Sequence, residues 1–251
     1  MKNLLYAVTL FIFCTTAFHC DKMGADAKGF APVSGQGGSL ARFAIAGNYL
    51  YTVDKEKLKV YNISDAAHPV LKNTTDVGFE IETIYPFKDK LFIGSSSVVH
   101  IFSVEDPEHP QKLSTAISPQ VLRRCDPVVA KDTVAYATLR TNGPCGGTQS
   151  VLAVYDIKNI LMPRQVNTFG IGEPYGLGYA DSVLFVCDHL QGLMLFNIKN
   201  AYEPQYITAL NDGDYIDVIP YNNTLICWVR SGIILYDIIN PASPKLIAKI
   251  I

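Results

Sequence analysis

Leu58-Lys-Val-Tyr-Asn-Ile-Ser-Asp-Ala-Ala-His-Pro69 is one of five copies of a single phrase, which returns from Val99 to Pro110, Leu152 to Pro163, Leu193 to Pro204 and Ile233 to Pro244. Each copy has an aliphatic residue, an aliphatic–aromatic pair, a short polar residue, another aliphatic, an Asp or Asn, and a Pro. The aromatics are Tyr61, Phe102, Tyr155, Phe196 and Tyr236. The copies lie about forty residues apart, except for one interval about twelve residues longer, which is the mark of a repeat protein.

Around each phrase the chain divides into four short runs rich in β-branched and aromatic residues, too short for helices. In the first unit these are Ala41 to Ala46, Tyr49 to Val53, Leu58 to Ile63 and Val70 to Thr74, separated by Gly47-Asn48, by Asp54 to Lys57 and by Ser64 to Pro69. Such breaks carry turn chemistry. The turns between first and second runs hold Asn48, Asp89, Asp132, Asp181 and Asn222, so tight hairpins are expected. In the phrase itself, Asp65 can accept backbone donors ahead of it in an Asx-type turn. Pro69 then fixes φ and leads into an edge strand, where its missing N–H costs little. A ring of these Asp and Asn residues as metal ligands is the competing reading; their spacing opposes it, because no Asp-x-Asp cluster accompanies any copy.

Units of this length with four antiparallel strands predict a β-propeller of five blades. The phrase resembles the LVIVD repeat, named for its Leu-Val-Ile-Val-Asp core. Leu152-Ala-Val-Tyr-Asp156 and Ile233-Ile-Leu-Tyr-Asp237 are the nearest copies, while Asn62, Ser103 and Asn197 replace the Asp elsewhere. The resemblance covers residues 41 to 251 and implies an exported, propeller-like protein with no established activity. The expected blades are 41–78, 79–119, 120–172, 173–212 and 213–251. With every unit cut this way, no strand is left over to zip the last blade to the first. Closure then falls to blade packing, helped by Gly35 to Phe43 or by Ile250-Ile251.

The N-terminus reads differently. Met1-Lys-Asn and the apolar run Leu4 to Phe18 form a secretory signal, too short to span a bilayer comfortably. Ala17-Phe18-His19-Cys20 resembles a bacterial lipoprotein signal in which Cys20 becomes the lipid-bearing first residue, with His19 where that pattern has a small residue. The alternative is a plain signal peptide. Residues 1–19 are thus expected to leave, 20–39 to form a Gly-rich tether, and 40–251 to form the propeller. The expected address is the outer membrane or cell surface, otherwise the periplasm.

The net charge of −2 and the lack of any Lys/Arg cluster exclude a nucleic-acid partner. The longer third unit carries its excess between Arg140 and Gln149. Cys145 in that loop and Cys125 at the entry to the unit emerge on one face of a blade, so a disulfide is reasonable in an exported chain. Closing that loop of about twenty residues contributes roughly 3 kcal/mol. Zinc would need further ligands, and no His is near. Cys187 and Cys227 read as buried thiols on second strands of adjacent blades.

The chain has no nucleophile elbow, His-Glu-x-x-His, phosphate loop or dinucleotide motif, and no cofactor is implied. His189 beside Asp188 reads as solvated hairpin surface. Asp132-Thr-Val and Asp181-Ser-Val look like O-glycosylation acceptors or, more simply, turns. A propeller binds near its axis, on the face where first strands begin. There the chain offers Arg42, Glu82, Arg124, Asp126, Glu173, Tyr175 and Asp217. The expectation is a non-catalytic binding or assembly module at the envelope. The rivals are a hydrolase or lyase acting on a glycan or lactone through axial carboxylates, and a structural envelope component.

Overall fold

The computed structural model describes residues 37–96, 98–117, 127–141 and 149–251. They form five sheets of four antiparallel strands, each sheet built from strands consecutive in sequence. Blade one is β1 (Phe43–Ala46), β2 (Tyr49–Val53), β3 (Lys57–Asn62) and β4 (Val70–Asp76). Blade two is β5 (Ile81–Phe87), β6 (Lys90–Ser95), β7 (Val98–Ser103) and β8 (Gln111–Ile117). Blade three is β9 (Val128–Lys131), β10 (Val134–Leu139), β11 (Val151–Asp156) and β12 (Arg164–Gly170). Blade four is β13 (Pro174–Ala180), β14 (Val183–Asp188), β15 (Gly192–Asn197) and β16 (Gln205–Leu210). Blade five is β17 (Tyr215–Tyr221), β18 (Thr224–Val229), β19 (Gly232–Asp237) and β20 (Lys245–Ile250). The fold is a β-propeller, and among the described residues no strand is exchanged between its first and last blades.

The repeated phrase is third strand plus turn, and the turn is built identically five times. The side chains of Asn62, Ser103, Asp156, Asn197 and Asp237 each accept the backbone N–H two residues ahead, at 2.8–3.3 Å. Asp65, Asp106, Asn159, Asn200 and Asn240 do the same at 3.0–3.3 Å, and their carbonyls accept from the residue three ahead. Two Asx-type caps in series therefore turn the chain, and the following proline opens the outer strand. Both polar positions are used by the backbone, in keeping with a turn and not a metal ring.

One irregularity also recurs in all five blades. The pairing of third and fourth strands shifts register between the aliphatic and the aromatic residue of the phrase: Val60/Tyr61, Ile101/Phe102, Val154/Tyr155, Leu195/Phe196 and Leu235/Tyr236. A bulge there bends each outer strand.

Consecutive blades bury their facing sheets against each other in four hydrophobic clusters. Blades one and two share Tyr51, Leu58, Val60, Leu91 and Phe102; blades two and three share Phe92, Ile101, Ala137 and Tyr155. Blades three and four share Tyr136, Val154, Leu184 and Phe196; blades four and five share Phe185, Leu195, Cys227 and Tyr236. The phrase aromatic of blades two to five always packs against the preceding blade. Tyr61 of blade one belongs to none of these clusters among the described residues and is only partly buried. Cys187 and Cys227 are free and buried in the last cluster. Cys20, Cys125 and Cys145 lie outside the described residues.

The first hairpin turn of every blade starts with a left-handed residue: Gly47, Lys88, Asp132, Asp181 and Asn222, with φ of 50–57°. Lys88 is the least suited of these, because a Cβ in that region crowds the following carbonyl. Its ammonium sits 5.0 Å from the Phe87 ring centroid, which offsets part of the strain. Lys88→Asn is expected to raise stability by about 0.5–1 kcal/mol, seen as a melting shift of roughly 2–4 °C. An unchanged or lower midpoint would mean that the ring contact outweighs the strain.

Candidate functional site

The entry segment ahead of β1 reaches the innermost strands of three blades. Ser39 Oγ donates to Asp217 Oδ1 at 3.3 Å on β17, and Leu40 N–H donates to Asp217 Oδ2 at 3.1 Å. Leu177 N–H on β13 donates to Ser39 Oγ at 2.7 Å. Ala41 O accepts from Ile84 N–H on β5 at 2.8 Å. Residues 38–41 are thus a strut among blades five, four and two. Gly38 and Gly176 are required by this approach, since a Cβ on either would lie 2.0 Å from a carboxylate oxygen of Asp217. Beside the strut, the Tyr85 and Tyr179 hydroxyls hydrogen-bond from blade two to blade four.

Asp217 is therefore not open to ligand. It is buried, and its oxygens accept from Ser39, Leu40 and the N–H of Val218, the last at 2.9 Å. Burial pushes its carboxyl up to about 6, against the pull of those donors. The proximity of Ser39 to Asp217 could not be read from the sequence, where Gly35 to Ser39 has only the composition of a linker.

The rest of the axial face, the mouth, brings together side chains of all five blades. Glu82 on β5 is half-buried; burial raises its carboxyl, while the nearby Arg42 and Arg140 guanidinia draw it back. Arg140, just after β10, stacks on the ring of Tyr175 of β13, with 4.4 Å from its guanidinium carbon to the centroid. Its Nε is buried and has no acceptor among the described residues. The backbone of Tyr175 is fixed from blade three, where Thr138 Oγ1 donates to its carbonyl at 2.6 Å. Arg230 of blade five stands within electrostatic range of Tyr175 and binds Asp214 through Nε at 2.7 Å. The other oxygen of Asp214 meets His189 Nδ1 at 2.7 Å, and this arrangement holds its carboxyl below the usual range.

Of the residues expected here, Arg42, Glu82 and Tyr175 line the mouth, and Glu173 is partly buried beside Tyr175 at the entry to β13. Arg124 and Asp126 lie outside the described residues. Arg140 and Arg230 were not foreseen: each sits in a second-to-third-strand hairpin, and only the blade geometry brings those hairpins over the axis. His189 is exposed, but the reading of Asp188 as solvated surface is corrected. Asp188 is fully buried and accepts the N–H groups of Gly172, Leu190 and Gln191 at 2.8–2.9 Å. Among the described residues no group of three His, Cys, Asp or Glu side chains could hold a metal ion. No described helix is long and apolar enough to cross a membrane.

Residues 37–77, the first blade with its lead-in, match the LVIVD repeat. No curated protein is similar in sequence. Solved structures share the fold at low identity. A protein from Lactobacillus plantarum aligns with a TM-score of 0.65 at 13% identity, over 80% of this chain and 67% of its own. The periplasmic gluconolactonase of Pseudomonas aeruginosa aligns at 0.60 and 12%, over 80% and 67%. A computationally designed protein aligns at 0.59 and 13%, over 82% of this chain but only 59% of its own. These are likenesses of fold.

The raised carboxyl of Asp217 makes a signed prediction. Its native value of about 6 lies above the unfolded value of about 3.9. The folded state therefore binds more protons between those values, and this contribution to stability is present at low pH and lost as pH rises through 6. His100 acts oppositely, because burial lowers it to about 4 and the folded state gains as pH rises through the same window. Comparing wild type with Asp217→Asn cancels His100. The stability difference should shift against wild type by roughly 3 kcal/mol between pH 4 and pH 7. Chemical denaturation at several pH values measures it, and a pH-independent difference would contradict the assignment.

Proposed function

We propose that the protein is a non-catalytic binding or assembly module of the bacterial cell envelope, held at the outer membrane or cell surface by a lipid on Cys20. The observation that supports this most is the mouth itself. Arg42, Arg140 and Arg230 come from three blades and surround one stacked tyrosine and one half-buried carboxylate. Planar guanidinium groups beside an aromatic ring suit a partner carrying carboxylate or similar oxyanions, since they pair bidentately and stack.

A second reading, a hydrolase or lyase acting on a lactone or glycan, has one specific support. A half-buried carboxyl with a raised pKa beside two cations is how a general acid is often set. The likeness to a gluconolactonase is one of fold and does not itself transfer that activity.

The two readings separate in one experiment. Arg42→Glu with Arg140→Glu should abolish retention of the envelope partner in co-purification, while Glu82→Gln should leave it within about threefold, since a polar isostere costs on the order of one hydrogen bond. Turnover of lactones or glycans by wild type that Glu82→Gln abolishes would instead establish the enzyme. Retention that survives both charge reversals overturns the module reading at this face. For the anchor, Cys20→Ser should move the protein from the membrane to the soluble fraction; unchanged fractionation would refute lipidation.

A further inference from the structure

Four of the five positions between blades are filled by a hydrophobic cluster, and the fifth, between blade five and blade one, has none among the described residues. The side chains on the two faces there are those that other blades bury. On blades one to four the second and third strands turn Tyr51, Leu58, Phe92, Ile101, Tyr136, Val154, Phe185 and Leu195 onto the next blade, all nearly inaccessible. The matching face of blade five carries Ile226, Trp228, Ile233 and Leu235. Trp228 is 54% exposed and Ile233 38%. On blade one the face that would meet a preceding blade carries Phe43, 54% exposed, with Leu50 and Tyr61 partly covered.

Three residues set these end faces apart. Trp228, the only tryptophan of the chain, stands on its strand where blades one to four have Val53, Gly94, Thr138 and Cys187. An indole is too large for an interior blade interface at that position. On blade one, Thr52 and Lys59 stand where blade four has Val186 and Met194, and the surface there opens into a groove lined by Arg42, Asp54, Lys55, Glu56, Lys57, Lys59 and Thr74. One end thus presents a projecting aromatic, the other a groove of four cations and two carboxylates, in which Lys59 pairs with Asp54 at 3.1 Å.

We propose that these two end faces bind each other between two copies of this chain, with Trp228 of one copy seated in the Arg42–Lys59 groove of the other. The interface is of the kind the chain already builds four times, the rear face of one blade against the front face of the next. Each copy offers one of each, so the contact is head-to-tail, one rear face on one front face. Tryptophan at the centre of an apolar patch is the usual anchor of such contacts, and cations over its ring add specificity.

Sedimentation equilibrium on the full chain carrying Cys20→Ser tests this. Wild type should self-associate with concentration, and Trp228→Glu and Lys59→Glu should each weaken self-association at least tenfold. An equimolar mixture of those two variants should restore a one-to-one dimer, because one intact rear face then meets one intact front face. A wild type that stays monomeric to 100 μM, on the order of a weak physiological contact, overturns the proposal. So does a dimer indifferent to Trp228→Glu, or a mixture that fails to pair. Should either variant misfold, Trp228→Cys mixed with Lys59→Cys probes the same contact. A disulfide between copies supports the proposal; a bridge within one chain, or none, refutes it.

Discussion

A four-stranded sheet that is apolar on both faces can be covered only by another sheet on each side, and most of this molecule follows from that constraint. The middle strands of blades two, three and four are buried along nearly their whole length because neighbours lie on both sides. Those of blades one and five alternate between buried and accessible residues because, among the described residues, a hydrophobic cluster covers only one face of each. The phrase aromatics show the same rule in single residues, with Phe102, Tyr155, Phe196 and Tyr236 buried and Tyr61 only partly so. Hydrophobic burial of this sort is non-directional, so it holds blades together without dictating how many there must be.

At the axis the chemistry is the reverse: polar, directional and specified residue by residue. A carboxylate removed from water is costly unless its oxygens are satisfied. Asp217 meets that condition with a hydroxyl and two backbone amides. The glycines at 38 and 176 exist to let the donors approach. Polar groups with full hydrogen bonding define one arrangement where apolar contact would tolerate several. That division of labour leaves Arg42, Glu82, Arg140 and Tyr175 at the mouth, supported by the strut beneath them but not consumed by it.

The parts legible in the sequence were those determined within a few residues. The hairpins, the Asx turns at Asp65 and its equivalents, and the proline that begins each outer strand depend on local donors and acceptors, so their spacing showed them. Strand β2 falls where the run Tyr49 to Val53 placed it, and β1, β3 and β4 lie within two residues of their runs. Missed features depend on partners far away along the chain. Ser39 and Asp217 are 178 residues apart, and a Gly-Ser stretch carries no periodicity to announce such a contact. Arg140 sits in an insertion whose composition signals only a loop, yet the blade geometry lays it on Tyr175. Asp188 looked like exposed hairpin surface because burial of a carboxylate cannot be seen without the amides that receive it.

The bulge between third and fourth strands bears on a hazard distinct from stability or binding. Every blade ends in an outer strand whose free edge faces away from the axis, giving five unpaired rows of amides and carbonyls around the rim. Flat edges of that kind recruit other strands and seed aggregates. Here each outer strand starts at a proline, which supplies no donor, and is bent by a bulge at the same place, so no rim edge offers a long straight row for docking. The residue pair that gives the repeat its signature therefore also keeps a chain with five open edges from polymerising through them.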